Sequence, residues 1–116
     1  MGDRAMAEIK TKEGSLYLYT HWGGNSLPDR AKEAIKFAKG RWSDTPYAVR
    51  ILVDQLTKEG RDEQTGFGLM LTPNAEDEYN RNNPSVVIDL VAYTLEIKIK
   101  NQVSLLPFEE ITSRLA

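Results

Sequence analysis

At 116 residues, with 41% hydrophobic and 28% charged side chains and a net charge of -2, the chain has the size and balance of one globular domain. Its interspersed charge signs disfavour a general nucleic-acid binder, and the absence of cysteine excludes disulfides, thiolate catalysis and Cys-ligated zinc. A single histidine excludes a multi-histidine metal site, and no stretch reaches the roughly 18 apolar residues of a membrane span, so one cytoplasmic domain over 1–116 is expected, with no metal, cofactor or membrane partner.

Along the chain, Arg4 to Thr11 alternates Ala5, Ala7 and Ile9 with Met6, Glu8 and Lys10, a strand with one buried face. Lys12-Glu13-Gly14 supplies the turn to a second strand, Ser15 to His21, which has apolar bodies on both faces. Gly23-Gly24 breaks that strand. Ser26-Leu27-Pro28-Asp29 then opens a helix with Ser26 as its cap, and Gly40 is expected to end it as a left-handed residue.

A second helix starts at Asp44-Thr45-Pro46, carries the stripe Ala48, Val49, Leu52, Val53 and Leu56, and ends near Gly60. Thr65 to Thr72 reads as a strand whose glycines, Gly66 and Gly68, leave room for a helix, an aromatic ring or a ligand. Pro73 to Pro84 reads as an exposed polar loop. Ser85 to Leu90 and Thr94 to Lys100 form a hairpin through Val91-Ala92-Tyr93, a turn without Gly or Asn, and Leu106 to Leu115 closes the chain as a short helix. The expected architecture is α+β: a two-layer domain in the order β-β-α-α-β-β-β-α, with a mostly antiparallel sheet and helices on one face.

Tyr17 to Ser26 is the natural place to look for chemistry. A strand entering Gly23-Gly24-Asn25-Ser26 ahead of a helix can gather free backbone N–H groups for an anion, with His21 and Arg30 as further donors; the alternative is a plain chain reversal. An imidazole exchanges protons near neutral pH, but no serine lies in a strained elbow and no acid is tied to His21 by spacing, so no catalytic residue is assigned. Asp89 lies within an apolar strand and needs a partner if buried. Tyr17, Tyr19, Trp22, Trp42 and Tyr47 bracket the first helix, either as a recognition surface or as packing, and Trp42 either plugs the helix pair or awaits a partner.

Gly2-Asp3-Arg4-Ala5, Tyr19-x-His21-Trp22-Gly23-Gly24 and Thr65-Gly66-Phe67-Gly68 together resemble a group of small uncharacterised proteins from bacteria and their phages. Similarity is clearest over residues 2–24 and weaker to about residue 99. The resemblance implies one compact domain and a prokaryotic or phage setting, and it carries no activity. The functional expectation is therefore a small binding or adaptor protein without turnover. It would meet a protein partner or small ligand, with Tyr19, Trp22, Trp42 and Tyr47 as partner-binding residues; a homo-oligomer through a sheet edge is compatible. The competing expectation is a nucleotide- or phosphate-ester-binding protein, with hydrolysis as one form of it, using His21, Gly23, Gly24, Asn25, Ser26 and Arg30.

Overall fold

The alternation in the first strand pairs it with the second at a register that keeps both apolar sets together. In the computed structural model, which describes residues 4–72 and 84–114, β1 (Ala5–Thr11) and β2 (Gly14–Thr20) are antiparallel, with Ala7 opposite Leu18 and Ile9 opposite Leu16. Their turn uses Gly14 at φ 128°, and Thr11 Oγ1 donates to Gly14 O at 2.7 Å while accepting from Glu13 N–H. A side chain at that φ would be strained.

After β2 the chain passes through a tight turn at Gly24–Ser26 into α1 (Leu27–Phe37) and then α2 (Thr45–Thr57). Pro28 and Pro46 each sit in a first helical turn, where the missing N–H costs no helix bond. Both expected helix ends are corrected. The Ser26 hydroxyl does not cap α1 but donates backward to Gly23 O at 2.8 Å, because the preceding turn already curls the backbone over that carbonyl. Gly40 is not a left-handed terminator; α1 closes at Ala38, and Lys39–Arg41 continue as one tighter turn toward Trp42.

β3 (Phe67–Met70) is shorter than its apolar pattern, since Gly66 at φ 105° ends the extended stretch. β4 (Ser85–Asp89) and β5 (Thr94–Ile99) form the expected hairpin. Its turn draws its chemistry from outside itself: Asp89 Oδ1 accepts from Val91 N–H (2.8 Å) and Ala92 N–H (2.9 Å), and Tyr93 takes φ 57°. A sixth strand, β6 (Gln102–Pro107), follows a two-residue turn at Lys100-Asn101, and the closing helix α3 (Phe108–Arg114) begins later than the pattern indicated. That extra strand corrects the expected order to β-β-α-α-β-β-β-β-α. The expected loop at 73–83 and the last residues of the closing helix lie outside the described residues.

The sheet order is β3-β2-β1-β4-β5-β6, parallel only between β1 and β4. One face carries Leu18, Ala7, Ile9, Val86, Ile88, Leu95 and Ile97 against the buried stripes of the helices, as one core. The fold is thus the expected α+β arrangement with its helices on one face. Among the described residues no helix is long and apolar enough to cross a membrane, and no three metal-ligating side chains gather.

Candidate aromatic corner and open sheet face

The period of two that turns Leu16 and Leu18 to the helix-covered face sends Tyr17 and Tyr19 to the opposite one. The register aligns Met70, Tyr17, Glu8, Val87, Glu96 and Leu105 in one row across all six strands of that face. A neighbouring row holds Gly68, Tyr19 and Met6. The helices pack on the other side. Most of this face is half-buried, and its half-buried apolar side chains are Tyr17 and Tyr19 on β2, Met6 on β1, Met70 on β3 and Val87 on β4.

The corner where β2 ends is held by bonds from three directions. Thr20 is fully buried, and its hydroxyl donates to Trp22 O at 2.7 Å, which fixes the chain reversal to the strand end. His21 N–H donates to Gly66 O at 2.8 Å and extends the pairing with β3 by one residue. The imidazole therefore continues the Tyr17–Tyr19 face, and His21 Nδ1 and Tyr19 Oη share a 3.0 Å hydrogen bond whose donor is set by the ring tautomer. Trp22 meets His21 edge to face, with centroids 4.5 Å apart and planes at 86°, yet stays 59% exposed. Gly66 matters here twice, for its positive φ and because Trp22 Cδ1 lies 3.9 Å from where a side chain would begin. The room foreseen beside that glycine is filled by an aromatic ring.

Gly23, Ser26 and Arg30 make a separate group. Gly23 adopts φ 67°, and its carbonyl accepts from Ser26 N–H (3.0 Å), from Ser26 Oγ (2.8 Å) and, at 3.4 Å, from Arg30 Nη2. Gly24 is buried and Asn25 exposed. Donors expected to point at an anion thus converge on a carbonyl of the protein, while His21 is bonded toward Tyr19. Arg30 Nε is buried and has no hydrogen-bond acceptor among the described residues.

The remaining aromatics part company. Trp42 is half-buried: its indole N–H donates to Ile35 O at 2.9 Å, and its ring lies 4.9 Å from Phe108 and 6.5 Å from Tyr93. It ties the α1–α2 link to α3 and the β4–β5 turn. Tyr47 is exposed, with the Arg41 guanidinium 5.5 Å from its ring centroid. It begins α2 beyond the far end of α1, so an 11-residue helix of about 16 Å separates it from Trp22. Of Met6, Met70 and Val87, which complete the open face, only Met6 was legible as lying opposite a buried set. Tyr93 and Phe108 had no signal linking them to Trp42. Compared with family models, with curated proteins and with solved structures, the chain matches none.

Proposed function

We propose that this protein is a binding module that takes a protein partner on the sheet face away from the helices, with the Tyr19–His21–Trp22 corner as anchor. The observation that carries this reading is Trp22, a large ring that packs edge to face on His21 and beside Gly66, with its backbone tied to Thr20, while 59% of the residue stays exposed. A pre-oriented aromatic loses little side-chain entropy when it is covered, which is why such residues dominate interface energetics. Half-buried Met6, Tyr17 and Met70 extend apolar area from the corner, and Glu8 and Lys10 on the same face supply a polar rim.

Affinity capture with the folded chain tests this. Trp22→Ala and Tyr19→Ala should each weaken the retained partner by about tenfold or more, in the range of interface hot spots. Equal retention by both variants, with their fold intact, would end the proposal. The phosphate reading has less support, because Ser26 and Arg30 already donate to Gly23 O. Thermal unfolding with nucleotides or inorganic phosphate should show no shift. A gain approaching about 2.7 kcal/mol at a hundredfold excess over Kd would reverse this preference.

A further inference from the structure

At the opposite edge of the sheet from β3, β6 presents a different kind of surface. Gln102-Val103-Ser104-Leu105-Leu106-Pro107 contains no charge, and only Leu106 is even half-buried. Val103 and Leu105 are 58% and 61% exposed on the open face. Sheet edges of monomeric proteins are normally blunted by charges, bulges or a covering segment. Here the described residues provide only Pro107, at the last position.

The backbone direction along β6 follows from its partner. The two-residue turn pairs Ile99 with Gln102, and Phe108 N–H donates to Tyr93 O at 2.9 Å, so the even-numbered residues turn their N–H and C=O groups toward β5. Val103 and Leu105 therefore turn theirs outward. Pro107 is also on the outward parity and has no N–H to offer, which confines the pairing-competent edge to Val103 and Leu105.

We infer that this edge pairs with a second copy of the chain, β6 against β6 in antiparallel register about a two-fold axis at Ser104. Val103 then lies opposite the second copy's Leu105, and the reverse, with both residues exchanging both backbone bonds and their side chains meeting on the open face. Charge complementarity selects this occupant. Lys98 neighbours Val103 and Glu96 neighbours Leu105, so the antiparallel match flanks each Val103–Leu105 pair with a lysine from one copy and a glutamate from the other, where a parallel match would flank its pairs with like charges. The exposed Lys100, in the turn before β6, likewise comes to the same end of the seam as the second copy's exposed Glu109, in the first turn of α3. The result is one continuous sheet through two molecules. This inference goes beyond the proposed function, since it uses the edge away from the aromatic corner.

Sedimentation velocity on the full chain tests it. At ~100 µM, a concentration at which a micromolar contact is filled, the protein should sediment as a dimer of about 26 kDa, twice the 13.1 kDa chain. Leu105→Lys, at an exposed position, should weaken association about tenfold or more while leaving the circular dichroism unchanged; Phe37→Lys, on exposed α1 surface, should leave association intact. Lys100→Glu and Glu109→Lys should each weaken the dimer, and the double exchange should restore it. A monomer at that concentration, a dimer indifferent to Leu105→Lys, or an absence of rescue by the double exchange would each overturn the inference.

Discussion

Asp89 shows how one side chain replaces a missing turn residue. Its Oδ1 accepts two backbone N–H groups of a turn that contains neither Gly nor Asn, while its Oδ2 lies 3.9 Å from Lys10 Nζ. The ion pair is loose and the lysine half exposed, so the hydrogen bonds dominate. Asp89→Ala should destabilise by about 1–2 kcal/mol, with the two N–H groups left to water, whereas Asp89→Asn keeps an acceptor oxygen and should lose less than half of that. Urea unfolding of both variants checks the order. The sequence marked Asp89 as a carboxylate in an apolar strand that needs a partner; that the partner is the next turn depends on the chain reversing there. Trp42 is similar. Its neighbours Phe108 and Tyr93 lie more than fifty residues along the chain, so its plugging position was one of two open readings until α3 and the β4–β5 turn were placed beside it.

At the scale of elements, α1 and α2 bury small side chains in the core. Ala31, Ala34, Ala38 and Ala48 are all essentially fully buried in the common core. Their spacing was readable as a helical stripe, and at full burial their size is matched to the space the core leaves them. Enlarging one of them should therefore be felt: Ala34→Leu should destabilise by about 1–3 kcal/mol through overpacking, while Phe37→Leu, on the exposed side of the same helix, should stay within about 0.5 kcal/mol. Thermal denaturation separates the two. β6 marks the limit of such patterns. Gln102 to Leu105 does alternate, but Val103 and Leu105 point away from the core, so the alternation does not announce a buried face. Leu106 and Phe108 turn inward and resembled the start of a helix stripe.

For the whole molecule, the two sides of the sheet have unlike fates. One is closed by helices; the other presents an aromatic corner at β2 and an uncharged edge at β6. If the two surfaces act independently, Trp22→Ala should leave the dimer intact and Leu105→Lys should leave a partner bound at the corner. If β6 joins two copies, the unfolding temperature of the wild type should rise with protein concentration, and that of Leu105→Lys should not. Composition, periodicity and turn residues by themselves determined the α+β class, five of the six strands, the helices and the division of β2 into two faces. These are properties of neighbours a few residues apart, where side-chain period and backbone preference act directly. Tertiary structure alone decided that His21 bonds to Tyr19 and supports Trp22, that Ser26 and Arg30 turn onto Gly23 O, and that β6 forms one edge of the sheet. The place of β6 depends on segments distant in the chain arriving together, which the sheet's register imposes; the corner contacts join near neighbours but depend on the particular backbone turn taken between β2 and α1, which local preference does not encode.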